Sequence, residues 1–293
     1  MDASSRRAVL ATLGSAATAL AGCGAFGRNR VRVLVAGSLQ KAASETLQSR
    51  TDAELAVEAR GSVQAARLVA EGKRDPAIVA LADPALFERV MSTPWHAVVA
   101  SNEMVLAYNP ETDGGSRVGD ADRWVDPLRD GGVSLGRTDP TLDPLGYRTL
   151  FVLDLAADYY DEPGLADAVL SPEQTYPETQ LLAQFETGAV DAAFVYRSMA
   201  VERDYPFREF PPELSLGDPA HADRYRTVTY ELPDGTVARG GPIEYGAVRR
   251  ADGRRTRTAF EAVLASDWLA PHGFTVREEY PRLVGDVPDT VTR

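Results

Sequence analysis

The feature that most constrains the fold is an alternation of apolar runs and amphipathic segments along the first third of the chain. VRVLVA (31–36), AELAVEA (53–59) and AIVALA (77–82) have the length and apolar content typical of buried strands. SLQKAASETLQSR (38–50) and SVQAARLVAEG (62–72), which lie between them, space their apolar residues as a helix does. This order predicts an α/β, doubly wound fold with a parallel sheet.

A second unit of the same kind follows WHAVVASNEMVLAYNP (95–110), in which two apolar runs are separated by a short polar break. The predicted strands VSLG (133–136) and AAFVY (192–196) enclose two predicted helices. One helix begins after Asp143, and the other lies in PETQLLAQFETG (177–188). A second α/β lobe is therefore expected.

The C-terminal third first becomes rich in proline and then returns to strand-like runs, TVTYEL and PIEYGAV. An amphipathic helix follows in TRTAFEAVLASDWLAP. The simplest architecture is two lobes joined by two crossings near residues 100 and 200. We expect these divisions: a signal and linker at 1–30, lobe I at 31–100 plus 203–284, lobe II at 101–202, and a flexible tail at 285–293.

The N-terminal segment has the pattern of an export signal. Ser5, Arg6 and Arg7 precede an alanine-rich apolar run that ends in Leu20-Ala21-Gly22-Cys23. This pattern is typical of a twin-arginine signal with a lipoprotein cleavage box, and the run is shorter than the about 20 apolar residues that span a bilayer. Cys23 is the only cysteine, so we expect it to carry a lipid that anchors the protein to the outer face of the cell membrane. A free thiol in an N-terminal tail is the alternative.

Charge limits the class of partner. The chain has 31 Lys and Arg against 43 Asp and Glu, a net charge of −12, and only Lys41 and Lys73 are lysines. An acidic, lysine-poor composition indicates a salt-loving organism, a halophilic archaeon, in which salt screens the repulsion between carboxylates. Because there is no basic run and no interleaving of aromatic with basic residues, nucleic acid is excluded as a partner.

Four predicted junctions ahead of helices carry groups that suit an anion. In doubly wound folds, ligands bind beyond the carboxyl ends of the strands, where helix N-termini present free N–H groups. Each junction alone is also an ordinary helix cap, but two fall in each predicted lobe. A cleft for a small anion would then be lined by Gly37-Ser38, Gly61-Ser62, Asp143-Pro144-Leu145-Gly146 and Pro177-Glu178.

Over about residues 31 to 275 the chain resembles the substrate-binding proteins of molybdate and tungstate ABC importers, in particular the archaeal tungstate/molybdate type. DPTLDPLGYR followed at a distance by VYRSMA is the specific part of the resemblance, whereas AGSL alone would be weak. The other matching segments are ARGSVQAARLV, ADPALF, WHAVVASNEMVLAYNP, LAADYY, PETQLLAQFETGAVDAAF, FPPELSLGDP and GGPIEYG.

The resemblance implies a type II periplasmic-binding-protein fold, a monomer that closes on one molybdate or tungstate ion and needs no cofactor. It implies that the protein serves a membrane permease and its ATPase, and that it is not an enzyme. The contact residues that it implies are Ser38, Ser62, Asp143, the backbone N–H around Leu145, Glu178 and Tyr196.

The same resemblance explains why carboxylates would line an anion site. Asp143 and Glu178 would repel a dianion unless a positive centre lay between them. In molybdate and tungstate the metal is such a centre, and members of the family resembled let two carboxylate oxygens complete an octahedron around it. Sulfate and phosphate cannot expand in this way, so the same carboxylates would disfavour them.

Each of these residues also has a purely structural interpretation. Asp143 could be only the cap of its helix, and Glu178 only a first-turn acid that complements the helix dipole. Tyr196, which ends an apolar strand, could be a core tyrosine. The sequence does not decide whether Arg148 pairs with a carboxylate of the cleft.

Other functions have less support in the sequence. The histidines, His96, His221 and His272, lack the spacing of metal ligands, and no G-x-S-x-G, P-loop or Cys-x-x-Cys motif is present. A receptor for sulfate or phosphate is one alternative. An enzyme on the same scaffold, similar to porphobilinogen deaminase or to an extracytoplasmic hydrolase, is another, but it needs a nucleophile or base in the cleft, and Cys23 lies in the signal.

Overall fold

Two mixed β-sheets with helices packed on them contain most of the buried apolar side chains. The computed structural model describes residues 30–291, so the predicted signal and Cys23 lie outside the described residues. Among those residues there is no helix long and apolar enough to cross a bilayer. From Val31 onward the chain forms one compact unit.

The strands follow the predicted apolar runs closely in the first half of the chain. β1, for example, covers the whole of the predicted VRVLVA. The thirteen strands of the described part, β1 to β13, are Val31–Ala36, Leu55–Arg60, Ile78–Leu81, Trp95–Asn102, Met104–Tyr108, Leu135–Thr138, Thr175–Tyr176, Ala192–Tyr196, Phe207–Glu209, Thr229–Glu231, Val237–Arg239, Ile243–Arg249 and Arg282–Gly285.

The helices lie between these strands. The eleven α-helices of the described residues, α1 to α11, are Gln40–Glu45, Ser62–Ala70, Ala85–Arg89, Asp113–Asp120, Val125–Arg129, Pro144–Tyr160, Leu165–Val169, Glu178–Glu186, Arg197–Val201, Ala222–Tyr225 and Arg254–Ala265. Short 3₁₀ turns precede or follow several of them, including Gly37–Leu39 between β1 and α1.

The first sheet has the strand order β13-β4-β12-β3-β1-β2, and the second has the order β7-β6-β8-β5-β9. β1 is parallel to β2 and β3, and β6 is parallel to β7 and β8. The pairings of β4, β5, β9, β12 and β13 are antiparallel. The predicted parallel sheet is thus wrong for the strands near the crossings: β4 leads directly into β5 of the other sheet, and the partners of both strands run in the opposite direction.

Two C-terminal elements differ from the sequence-based division into lobes. β9 (Phe207–Glu209) pairs with β5 in the second sheet, beyond residue 202, where lobe II was expected to end. β13 (Arg282–Gly285), which was not predicted, pairs with β4 and includes the first residue of the expected tail. Both strands are short and carry arginine, so their sequences lack the apolar run that identifies the other strands.

Helix α6 begins as the sequence predicts. Asp143 is its N-cap, with extended backbone angles and a side chain that accepts from the Leu145 N–H, and Pro144 is the first helical residue. Gly146 is required there because a Cβ atom would lie 2.4 Å from the backbone nitrogen of Pro140. The helix start is therefore packed directly on the preceding turn, which fixes the position of Asp143.

Candidate functional site

Two serines lie at the helix starts of the first sheet, as predicted. Ser38 follows β1 in the 3₁₀ turn, and Ser62 is the first residue of α2; their exposed fractions are 3% and 0%. The Ser62 hydroxyl oxygen accepts from the Ala82 N–H at 3.0 Å. The Ser38 hydroxyl oxygen accepts from the Tyr245 hydroxyl, also at 3.0 Å. In both cases a donor occupies a lone pair of the serine, which leaves the serine's own proton for another acceptor.

Asp143 is buried, and only one of its two oxygens has a partner. Oδ1 accepts from the Leu145 N–H at 2.8 Å, so the backbone donor predicted for the oxyanion serves the helix cap in this structure. Oδ2 is buried without a hydrogen-bond partner, and the nearby Thr138 hydroxyl, which lowers the pKa of Asp143, is itself without one. Buried carboxylate oxygens are rarely left in this way, so an unpaired oxygen indicates a position that a ligand would complete.

Glu178 is the first residue of α8 and reaches across to the first sheet. Its Oε2 accepts from the Gly37 N–H at 2.9 Å, and its Oε1 accepts from the Ser38 N–H at 3.0 Å. The approach is close enough that a Cβ atom on Gly37 would lie 2.4 Å from Oε2. The carboxylate thus occupies two backbone donors at a helix start, the kind of donors that an oxyanion would use.

The two carboxyl groups influence each other. Burial raises the pKa of Asp143 to about 6, against the lowering effects of the Leu145 N–H and the Arg148 guanidinium. Burial, and after it the charge of Asp143, raises the pKa of Glu178 well above its usual range. Neither group is stable as an anion beside the other, so a positive centre between them would be strongly favoured.

Tyr196 lies at the end of β8 and is fully buried. Its hydroxyl oxygen accepts from the Arg148 guanidinium at 2.7 Å, and Arg148 is itself only 6% exposed. Because arginine can only donate, the Tyr196 proton is available to an acceptor in the site. Burial also raises the pKa of Tyr196 well above its usual range, which keeps the phenol protonated.

The six predicted residues do come together. Ser38 bonds to Glu178, Glu178 is affected by the charge of Asp143, and Asp143 and Glu178 both act on Tyr196. On the other side, a Cβ atom on Gly61, next to Ser62, would lie 3.1 Å from the Asp143 Cβ. A cavity of 160 Å³ opens beside the contact between Gly37 and Glu178, and of the six predicted residues only Ser38 and Glu178 line it.

Sequence reasoning missed three buried polar groups at this site. Arg148 was left undecided, and it bonds to Tyr196 rather than to a carboxylate. Tyr245 and Asn102, which lie on β12 and β4, were not considered. Tyr245 lies 207 residues from its partner Ser38, and no local pattern could reveal such a contact. Both residues are in segments that read as ordinary strands.

The donor set suits an oxyanion better than a free cation. In the part of the chain that the structure describes, no group of three or more His, Cys, Asp and Glu side chains is placed to hold a metal ion. The two carboxylates are surrounded instead by hydroxyl and backbone donors. This combination, set between two α/β sheets, defines a two-lobed protein that holds a small solute.

The chain belongs to the bacterial extracellular solute-binding protein family, whose model matches residues 31–268. It is 56% identical to a Haloferax volcanii protein that is provisionally named as an ABC transporter molybdenum-binding protein, over 98% of this chain and 97% of that protein. It is 30% identical to the molybdate/tungstate-binding protein of Pyrococcus abyssi, over 70% of this chain and 67% of that protein.

Among solved structures, the chain is similar to the periplasmic molybdate-binding protein of Azotobacter vinelandii, with a TM-score of 0.59. The match covers 85% of this chain and all of the other, at 14% sequence identity. At that identity the likeness shows the fold alone. The predicted class, two α/β lobes of the periplasmic-binding-protein type, is therefore confirmed, and the predicted family is confirmed by the sequence matches.

Proposed function

We propose that this protein is an extracytoplasmic solute-binding protein that captures molybdate or tungstate between its lobes and delivers the ion to an ABC importer. The observation that carries the proposal is the pair Asp143 and Glu178, two buried carboxyl groups set among donors, with Asp143 Oδ2 unpaired. The names of the Haloferax and Pyrococcus relatives support the same ligand.

The carboxylates select the ligand by its central atom. Two buried anions at close range repel each other by several kcal/mol unless a positive centre lies between them. A hexavalent molybdenum or tungsten atom is such a centre and accepts two oxygens beyond its own four. Asp143 Oδ2 and one oxygen of Glu178 are the atoms we assign to it.

The surrounding donors bind the oxo groups. The hydroxyls of Ser38, Ser62 and Tyr196 each have an acceptor side occupied by a donor of the protein, so their protons are free for the ligand. The Leu145 N–H, which the resemblance also assigned to the ion, is bonded to Asp143 Oδ1, so we assign it to holding Asp143 in place. When Glu178 turns to the metal, the Gly37 and Ser38 N–H groups that it now occupies are freed for an oxo oxygen.

Lobe closure is the functional event in this proposal, and no covalent chemistry is involved. Lobe I comprises residues 31–100 and 203–284, and lobe II comprises 101–202, with β9 (Phe207–Glu209) added to lobe II by its pairing. Ligand contacts from both lobes stabilise the closed form.

Sulfate and phosphate are the main alternative ligands, and hydrogenphosphate could donate its proton to one carboxylate. Sulfate has no such proton and no expandable centre, so both carboxylates would oppose it. The enzyme alternative has less support, because the family that the chain matches is one of solute-binding proteins.

The protein would act as a monomer anchored to the outer face of the membrane through a lipid on Cys23, beside a permease and its ATPase. The sequence pattern at 1–30 and the extracellular family support this placement. Replacing Cys23 with serine should release the protein from cells into the medium. Retention of the variant in the membrane fraction would disprove the lipid anchor.

Calorimetric titration of the purified protein, in high salt, with tungstate, molybdate, sulfate and phosphate tests the ligand. We expect tungstate and molybdate to bind at least about 100-fold more tightly than sulfate or phosphate, a difference of about 2.7 kcal/mol. Tighter binding of sulfate or phosphate than of both metal oxyanions would refute the proposal.

A further inference from the structure

The Ser38 hydroxyl is held by a chain of buried groups that lies behind the predicted site. Tyr245 on β12 donates to Ser38 Oγ at 3.0 Å, and Asn102 at the end of β4 donates from Nδ2 to the Tyr245 hydroxyl at 3.4 Å. Asn102 is 4% exposed and Tyr245 is fully buried. These three side chains therefore form hydrogen bonds with one another rather than with bulk water.

The orientation of the Asn102 amide is fixed by the backbone around it. Its Oδ1 accepts from the Glu103 N–H at 3.0 Å and from the Ser198 N–H at 3.3 Å. With the oxygen engaged by two N–H donors, the NH₂ group must face the other way, where it donates to Ser198 Oγ at 2.8 Å and to Tyr245. The amide is thus a donor towards Tyr245 and cannot act there as an acceptor.

The direction of each later hydrogen bond follows from that amide. Because the Tyr245 oxygen accepts from Asn102, its proton goes to Ser38 Oγ. Because Ser38 Oγ accepts from Tyr245, the serine proton must leave on the other side, towards the cleft. The Glu178 carboxyl group lies next to this serine, since its Oε1 accepts from the Ser38 N–H at 3.0 Å.

We infer that Asn102 and Tyr245 are positioning residues that make Ser38 a fixed hydrogen-bond donor to the bound ion. The inference rests on the proposed function only in that the ligand is an oxyanion. Each unprotonated oxygen of such an ion can only accept, so a serine hydroxyl that presented its lone pair would repel the ion. Because Asn102 and Tyr245 fix the Ser38 proton before the ion binds, the hydroxyl does not have to be reoriented on binding.

Asn102 also connects this chain to the two places where the polypeptide passes close to both sheets. It is the last residue of β4, and β5 of the other sheet begins two residues later. Its partner Ser198 lies in α9, directly after β8. Backbone N–H groups near the crossings, and not groups in the cleft, therefore determine where the Ser38 hydroxyl proton points.

A double-mutant cycle tests the inference. Tyr245→Phe, which removes only the hydroxyl, should weaken binding of the tightest oxyanion by about tenfold, the equivalent of about one buried hydrogen bond. In the Ser38→Ala background the same change should have no further effect, because the hydroxyl that it orients is gone. Equal losses in both backgrounds would overturn the inference, as would unchanged binding by Tyr245→Phe.

Tyr225→Phe is the matched control. Tyr225 is also fully buried, and its hydroxyl bonds to the Pro212 carbonyl and the Asp218 N–H, which do not belong to the site. It should lower the melting temperature without changing affinity. A loss of affinity in this control equal to that of Tyr245→Phe would show a general packing effect and would contradict the inference.

Asn102→Asp gives a second readout. Ionised aspartate still accepts from Glu103 and Ser198 but cannot donate to Tyr245, so Tyr245 turns its proton to the aspartate and Ser38 turns its proton away from the ligand. The affinity ratio of wild type to variant should grow with pH as the aspartate ionises, and Tyr245→Phe should reduce this growth to the part that the added negative charge causes on its own. An affinity ratio that does not change with pH, or that changes equally without the Tyr245 hydroxyl, would contradict the inferred hydrogen bonds from Asn102 through Tyr245 to Ser38.

The same titrations separate this inference from the proposed function. If the wild type prefers sulfate, the proposed function fails, and the cycle is measured with sulfate. If the wild type binds molybdate or tungstate but the cycle is additive, only the inference fails. If the wild type binds none of the four oxyanions, both fail.

Discussion

Asp143 and Glu178 are two buried carboxyl groups at helix starts, and they are held in opposite ways. Asp143 is bonded within its own lobe, to the Leu145 N–H of the helix that it caps, and its second oxygen is unpaired. Glu178 has both oxygens bonded, and both bonds cross to the Gly37 and Ser38 N–H groups after β1. Asp143 Oδ2 is therefore free for the proposed ligand, whereas Glu178 links α8 to the segment after β1.

This difference assigns the two carboxylates separate roles in binding. In the proposed complex, Asp143 needs no rearrangement to contact the metal centre, because its cap bond and its free oxygen are compatible. Glu178 would exchange at least one N–H bond for the metal, and the N–H that it leaves would become a donor to the ligand. In this proposal the Gly37 and Ser38 N–H groups bind Glu178 when the ligand is absent and bind the ligand when it is present.

The largest effect should come from neutralising either carboxylate. Asp143→Asn and Glu178→Gln keep the size of each side chain, and asparagine caps a helix as well as aspartate does. We expect each to weaken tungstate binding by at least about 100-fold, or about 2.7 kcal/mol, because a contact to the metal centre is lost. Isothermal titration calorimetry measures this change.

Asp218→Asn is the control for that experiment. Asp218 also precedes a proline and caps a short helix, with its side chain accepting from the Ala220 N–H at 2.9 Å. Its replacement should leave affinity unchanged. If the variants at 143 and 178 bind as tightly as this control, the carboxylates do not contact the ligand.

A smaller effect should distinguish the two serine junctions. A methyl group on Gly61 would lie 2.5 Å from the backbone oxygen of Leu142, whereas one on Gly37 would meet the end of the Glu178 side chain. Backbone cannot move aside, but the Glu178 carboxylate does so in the proposed complex. We therefore expect Gly61→Ala to weaken binding about tenfold and Gly37→Ala about threefold, with differences of about 1.4 and 0.7 kcal/mol.

Gly241→Ala is the control for these glycines, because nothing lies within 4 Å of its added methyl group. It should bind as the wild type does. Affinities measured by tryptophan fluorescence titration would rank the three variants. A larger loss at Gly37 than at Gly61 would show that Glu178 keeps its present contacts in the complex.

The last prediction concerns the free energy of unfolding without ligand, not affinity. The pKa of Asp143 is raised from 3.8 to about 6, chiefly by burial, so between these values the folded protein binds more protons than the unfolded chain. Stability should therefore fall as pH rises through this window. Arg148 opposes the shift, while Asp139 adds to it, and Glu178 responds to the same charge.

Asp143→Asn removes this effect without removing the cap. The variant should equal the wild type in stability near pH 4 and exceed it by about 1 to 3 kcal/mol near pH 7, as judged by chemical unfolding. Saturating tungstate should reverse the order at pH 7, since only the wild type gains the metal contact. A difference in the free energy of unfolding that stayed constant from pH 4 to 7 would mean that burial does not raise the pKa of Asp143.

Local sequence predicted much of this site because its residues mark the starts of helices. Asp143-Pro144 gave the cap of α6, and the structure confirms it. Glu178 is the first residue of α8, and Ser62 is the first residue of α2, as their positions before helical runs predicted. Caps depend on neighbouring residues, so short patterns are sufficient to identify them.

The groups behind the site could not be predicted in the same way. Tyr245 and Asn102 lie in strands whose residues read as core, and their roles depend on contacts with residues far away in the chain. Nor could the sequence show that Glu178 bonds across to the first sheet, 141 residues from Gly37. β13 is only four residues long, and its pairing with β4 could not be predicted from those residues alone.

The central claim is that acidic side chains of the protein touch the metal atom of the bound ion. X-ray absorption at the tungsten or molybdenum edge, on the complex of the full protein, measures the number of oxygens around that atom and their distances. Six oxygens, falling to five in Asp143→Asn, are the result expected here. Four short oxygens in both proteins, as in the free ion, would contradict it.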